Sequence, residues 1–249
     1  MLNISHLSPT APHVRAARQP VAQHIARTLS LVPQRLPLTR RVLHAGEAVY
    51  RAGDALQCLY LINSGLFKTV SSAADGREQV AGLHFKGDWL GFDGIAEGQH
   101  GCDAVAMDVG EVWSVRYAAL MQACAEDLSL MALLNEAMSR QITLGRDSIL
   151  ALCTLPADAR VADFLRFWAQ SLADRGQRTD QITLRMTRAE IGNHLGMKLE
   201  TVSRALSRLA REGLIRFAPG GRRELEIDDV DALAGFVQRN LNPTQASIH

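Results

Sequence analysis

Acidic residues are missing from the first 46 positions of this 249-residue chain, a stretch that nevertheless holds Arg15, Arg18, Arg27, Arg35, Arg40 and Arg41. That composition reads as a basic, poorly ordered leader over residues 1–36, although an organellar transit peptide or an arm touching nucleic acid has the same make-up. Its histidines, His6, His13 and His24, are separated by 7 and 11 residues, which fits no metal-ligand motif. No apolar run approaches the roughly 18–20 residues of a membrane span, and the N-terminus lacks a secretory h-region. A cytoplasmic chain without membrane contact is expected. Cysteine is scarce as well. Cys58, Cys102, Cys124 and Cys153 are spaced by 44, 22 and 29 residues, which matches neither a disulfide framework nor paired metal ligands, so reduced thiols are expected. No H-x-H pair, nucleophile elbow or phosphate-cradling Gly-Lys loop occurs, so the common enzyme motifs are absent and no catalytic residue is assigned.

The hydrophobic content of 47% is enough to fill an ordinary core, and the length suits one large or two modest domains. The net charge of +1, from 27 Lys and Arg against 26 Asp and Glu, excludes a histone-like polycation. That total conceals a local imbalance. Residues 185–223 hold nine basic side chains and only three acidic ones, Glu190, Glu200 and Glu212.

Three patterns follow one another along the chain. From Leu38 to about Tyr117, strand-length runs such as Cys58–Ile62 and Leu66–Val70 are cut by turn signals at Ala45-Gly46, Gly53-Asp54, Asn63-Ser64-Gly65 and Asp75-Gly76. This predicts an antiparallel sandwich or barrel at 37–125. Next, Leu128, Met131, Asn135, Met138, Ile142, Gly145, Ile149 and Leu152 alternate by three and four, the seam of a coiled coil. This predicts a dimerisation helix at 126–154, with Met131, Met138, Ile142 and Ile149 at the interface of a homodimer. A second stripe, Leu130, Leu133, Leu134, Ala137 and Leu144, is expected to face the β module. Pro156 ends the helix, and a domain at 155–240 follows, opening with an amphipathic helix at Ala157–Ala173. Residues 241–249 are a tail.

The informative stretch is Met186–Ile227. Thr187 with Glu190 forms a capping box that starts a helix at Arg188. Gly196 turns the chain, and a second helix runs from Leu199 to about Glu212. Two short helices about a glycine turn outline a helix-turn-helix. On the second helix Val202, Ala205, Leu206 and Leu209 share one side, while Glu200, Ser203, Arg204, Ser207, Arg208 and Arg211 share the other. Arg bonds both acceptors of a guanine edge and Glu accepts from cytosine, which makes the second face base-reading chemistry. The segments 214–217 and 225–227 read as a hairpin whose Arg222-Arg223 tip contacts phosphate.

The string Met186–Gly196 followed by Leu199–Arg204 resembles the CRP/FNR family of bacterial transcription regulators, and the FNR branch most closely. The likeness covers nearly all the chain, including Phe67 and the run Gly87–Asp93. It implies an α+β fold: an N-terminal antiparallel β-roll (a jelly-roll like that of cyclic-nucleotide-binding domains), a long dimerisation helix and a C-terminal winged helix-turn-helix. It further implies that Glu200, Ser203 and Arg204 read a TTGAT half-site in palindromic double-stranded DNA. Arg188, Arg208, Arg211, Arg222 and Arg223 would contact phosphate, and RNA polymerase would be a partner. Two departures bear on the signal. No cysteine precedes Cys58, and Trp113 stands where the β-roll cluster ligand is expected, which rejects a [4Fe–4S] cluster needing four thiolates. The phosphate cassette of the cyclic-AMP branch corresponds to Gly91-Phe92-Asp93 and Gly101-Cys102-Asp103, and no arginine lies between Arg77 and Arg116. No cofactor is expected and the effector is unnamed. Cys102, beside His100 and Asp103, is the best redox or metal candidate and is read as a small packing residue, as are Cys58, Cys124 and Cys153. The alternatives are a cupin-like enzyme fused to a DNA-binding domain, for which the histidine ligands are lacking, a regulator answering to another nucleotide, and a dimer with no small-molecule input.

Overall fold

The computed structural model describes residues 18–73, 76–219, 221 and 223–241. Eight short strands build the β-roll: β1 (Thr39–Leu43), β2 (Ala48–Tyr50), β3 (Cys58–Ser64), β4 (Phe67–Ser72), β5 (Glu78–His84), β6 (Trp89–Leu90), β7 (Asp103–Ala106) and β8 (Gly110–Arg116). They pair antiparallel in two four-stranded sheets, ordered β1-β8-β3-β6 and β2-β7-β4-β5. The two-residue period of a strand explains why β3 is apolar on both faces from Cys58 to Ile62. Ile62 and half-buried Tyr60 join Phe67, Leu90 and Val112 in one apolar core. Leu59 and Leu61 belong to a different one, with Trp89, Trp113, Leu130 and Leu134. Both faces of the strand are covered, so both must be hydrophobic.

Three helices supply the second cover: α1 (Arg18–Arg35), α2 (Tyr117–Glu126) and α3 (Leu128–Thr154). For residues 18–36, the first corrects the expectation of a poorly ordered leader at 1–36. Ile25, Val32 and Leu36 recur at helical spacing and are buried, and His24 approaches Glu136 of α3 at 3.0 Å. The shortage of acids concealed an apolar stripe that has a surface to pack on. Residues 1–17, with His6, His13 and Arg15, lie outside the described residues.

Asp127 caps α3 by accepting from the Ser129 N–H at 2.9 Å. Leu130, Leu133, Leu134 and Ala137 are buried as expected, and Gln141 donates to the Trp89 carbonyl at 2.6 Å. Beyond Gln141 the cover ends. Leu144 faces the β module across a gap beside β5 and stays 41% exposed, and Ile142 and Ile149 are 71% and 64% exposed. Met131 and Met138 are half-buried against the β-roll core.

Pro156 breaks the chain direction and α4 (Ala157–Ala173) begins, burying Phe164, Leu165 and Trp168. Then come β9 (Gln181–Thr183), α5 (Arg188–His194), α6 (Leu199–Arg211), β10 (Arg216–Phe217), β11 (Glu224–Glu226) and α7 (Val230–Leu241). The three short strands pair in the order β10-β11-β9. The hairpin is where it was expected. Its third strand β9, and α7, whose Leu233, Phe236 and Val237 are buried, were not anticipated. The core of this unit is continuous with Val70, Val80, Leu83 and Phe85 of the β-roll. Among the described residues, no helix is long and apolar enough to cross a membrane.

Candidate nucleic-acid interface

Helix α5 starts where the capping box places it. Thr187 accepts from the Glu190 N–H at 3.1 Å, and the Glu190 carboxylate takes the Thr187 N–H at 2.8 Å. The turn that follows needs two glycines for two reasons. Gly196 has φ +61°, the left-handed region, and a Cβ on Gly192 would sit 2.5 Å from the Met197 carbonyl oxygen. The backbones of turn and helix therefore touch, which fixes the angle at which α6 leaves.

Val202, Ala205, Leu206 and Leu209 of α6 are buried. Each of the larger side chains contributes about 1.5–3 kcal/mol by leaving water. Glu200, Arg204, Ser207, Arg208 and Arg211 are exposed, and Ser203 is half-buried. Among the described residues the Glu200 and Arg204 side chains have no hydrogen bond or ion pair, so both are available to base edges. Arg208, expected at phosphate, is already engaged by Asp158 at 2.7 Å and Glu212 at 2.9 Å. Its guanidinium fastens α6 to α4, because two carboxylates lie within reach of one fork. The Arg188 guanidinium lies 5.9 Å from the Phe217 ring centre, against the wing. Arg211 and Arg223 are exposed. Arg222 lies outside the described residues. Arg216 pairs with Glu226 and Asp228, which ties β10 to the strand opposite and to the loop after it.

A second set of contacts, absent from the sequence reading, joins α5 to the β-roll. Strand β5 is the edge of its sheet, with unpaired backbone groups. The Asn193 amide fills that edge: its Oδ1 accepts from the Val80 N–H at 2.6 Å and its Nδ2 donates to the Glu78 carbonyl at 2.5 Å. His194 Nδ1 meets the Val80 carbonyl at 2.9 Å, and Lys68 reaches Glu190 at 2.5 Å. Burial alone would raise the Glu190 carboxyl, but hydrogen bonds from Lys68 and Thr187 hold it below the usual range. Nothing local in the sequence marks Asn193, because its partners are more than a hundred positions away.

Inside the β-roll, the cassette that the resemblance assigns to a cyclic-nucleotide phosphate does not suit one. The Asp93 carboxylate occupies it, accepting from the Gly101 N–H at 2.8 Å, Tyr50 Oη at 3.2 Å and Cys102 Sγ at 3.4 Å. His100 stacks on Tyr50 with centres 3.6 Å apart, and Arg51 is bound to Asp103 at 2.6 Å. A fixed carboxylate uses the donors a phosphate would need and repels it. Burial, with Asp93 beside it, pushes the Cys102 thiol up to about 12, so it stays protonated and poorly nucleophilic. Cys124 is buried and Cys58 half-buried, whereas Cys153 is exposed and is not the packing residue expected. Among the described residues no three His, Cys, Asp or Glu side chains are placed to hold a metal ion.

Comparison with known proteins agrees with this geometry. Residues 159–236 match the model of the Crp-like helix-turn-helix domain, and residues 40–127 match that of the cyclic nucleotide-binding domain. The chain is 33% identical over 239 residues to the transcriptional regulatory protein btr of Bordetella pertussis (strain Tohama I), covering 93% of this chain and 96% of that protein. It is 34% identical over 203 residues to the fumarate and nitrate reduction regulatory protein of Escherichia coli (strain K12), covering 82% and 80% respectively. The solved structure of FixK2 from Bradyrhizobium japonicum superposes with a TM-score of 0.71 at 28% identity, covering 80% of this chain and 97% of that one. With a β-roll, a long helix and a winged helix-turn-helix in this order, and a relative matched along nearly its whole length, the chain belongs to the CRP/FNR family of DNA-binding transcriptional regulators.

Proposed function

We propose that the chain acts as a homodimer that reads a TTGAT-like palindrome with α6, as in the FNR branch, without an iron–sulfur cluster. The observation that carries this reading is the polar face of α6, where Glu200 and Arg204 are exposed and free of intramolecular partners beside Ser203. Arg204 would take a guanine edge and Glu200 a cytosine amine, while Arg211, Arg223 and Arg222 lie against phosphate. The uncovered second half of α3, with Ile142 and Ile149 outward, supports pairing through that helix, with the half-sites one helical turn apart, about 34–36 Å. RNA polymerase is the expected partner on the promoter. The dispersal of the four cysteines over β3, the Cys102 loop, α2 and α3 supports a chain without the cluster, and the Asp93-filled cassette supports an effector other than a cyclic nucleotide. The chain's work in this reading is binding, not catalysis.

The test is Arg204→Ala, measured by fluorescence anisotropy at fixed salt on a matched palindrome and on single-base variants. The expected outcome is a loss of about 1–3 kcal/mol of discrimination at one base pair per half-site. Equal weakening on every sequence would remove Arg204 from the base-reading set.

A further inference from the structure

Past Gln141, the inner side of α3 crosses the gap between β5 and α4 and leaves a cleft of about 330 Å³. That size is within the range of small-molecule sites. Leu144, Ala151 and Phe164 are among its apolar walls, and its polar lining includes Thr69, His84 and Arg160 together with the charged side chains of Asp147, Asp163 and Arg166. The charges around it are matched with one exception. Arg166 is held by Asp163 at 2.7 Å and Asp147 faces Arg146 at 3.7 Å. Arg160 has no carboxylate partner among the described residues. One of its terminal nitrogens donates to the Leu195 carbonyl at 2.8 Å, and its buried Nε is bonded to nothing there. Burial also pulls His84 and His194, both in the same walls, below their ordinary pKa, which leaves Arg160 as the fixed cation.

We infer that this cleft is a binding site for a small amphipathic monoanion, a carboxylate with an aryl or short alkyl body, whose head meets the Arg160 guanidinium. A guanidinium without a carboxylate partner, beside apolar walls and with its neighbouring charges already matched, favours one negative charge on an apolar frame, because the anion supplies the charge-assisted bond the protein leaves unmade. The site is compatible with the proposed dimer. Leu144 and Ala151 are each two residues from Ile142 and Ile149, hence about 160° round the axis from them, while Gly145 and Leu152 of the seam border the cleft, so the site lies beside the dimer seam. The cleft's walls come from β5, α3, α4 and the end of α5, so an occupant would touch both the β-roll and the DNA-binding unit. A ligand that binds one arrangement of these elements better shifts the population toward it. This assignment deepens the regulatory reading by naming a ligand class and a seat for it.

The full-length protein is titrated with 4-phenylbutyrate and with 4-phenylbutylamine, followed by calorimetry and by the thermal midpoint. The expected result is saturable binding of one phenylbutyrate per chain in the millimolar range or tighter, with a raised midpoint, and no such binding of the amine. Arg160→Gln weakens phenylbutyrate about tenfold or more. Ala151→Phe, which fills the cleft from α3 and leaves the Arg160–Leu195 bond in place, abolishes binding. Equal binding of acid and amine, binding unchanged in both variants, or no binding to the wild type would overturn the assignment. Palindrome affinity of the unliganded protein is measured alongside, so that failure of the ligand site and failure of DNA reading are separate results.

Discussion

His24 and His100 are buried, His84 ends strand β5, His194 is packed against the β-roll, and in all four the loss of solvent pulls the imidazole below its ordinary 6.5. Carboxylates near His24 and His100, namely Glu136 and Asp93, oppose the shift without reversing it. The sign of the consequence follows. Below pH 6.5 the unfolded chain takes up protons that the folded chain resists, so stability falls as pH falls through that range. The carboxylates work in a lower window. Burial raises Asp103 and Glu190, yet the Ala52 N–H and Arg51 for the first, and Lys68 and Thr187 for the second, hold both below normal. Their contribution is lost only near pH 4 and beneath. Thermal unfolding is therefore expected to show a midpoint that declines from pH 7 to pH 5, before carboxylates titrate. A midpoint that is flat or rises over that range would contradict the burial of these rings. At the same scale, Glu200 and Arg204 were legible from the sequence because one helical period separates them from the apolar side. Arg208 was not, because the partner that ties it to α4, Asp158, is fifty positions away in the sequence.

Among elements, the local rules were the reliable ones. The capping box at Thr187, the stop at Pro156 and the glycine turn at Gly196 each depend on residues within a few positions, and each stands where it was read. What escaped depends on distant partners. Helix α1 is stable because Ile25, Val32 and Leu36 find a covered surface, and a three-residue strand such as β9 exists only because β11 pairs with it. The docking of α5 on β5 belongs to this class. Asn193→Ala deletes both bonds of its amide and leaves the Val80 N–H without its acceptor, at a cost of about 1–2 kcal/mol. Urea denaturation of the variant should show a lower midpoint, or two steps if the DNA-binding unit separates from the β-roll first. An unchanged single transition would show that the clasp contributes nothing.

For the whole molecule, the distribution of apolar surface is the argument. The first half of α3 spends its inner stripe on the β-roll, whereas the second half presents Ile142, Ile149 and Leu150 to solvent, a surface that a second copy of the helix would cover. Ile142→Glu places a charge in that seam, and sedimentation is expected to show a monomer at concentrations where the wild type is a dimer. The folded monomer should be retained, because Ile142 has no buried role within its own chain. Net charge was the least informative whole-molecule quantity: +1 overall conceals the excess of nine bases over three acids between 185 and 223, the stretch proposed to meet the polyanion. The most direct test of the account is binding of the full-length protein to an inverted repeat of TTGAT with half-sites one helical turn apart, against a scrambled duplex at the same salt concentration. The account predicts tight binding of one dimer to the repeat and binding at least about a thousandfold weaker to the scramble. Equal affinity for the two duplexes would contradict it.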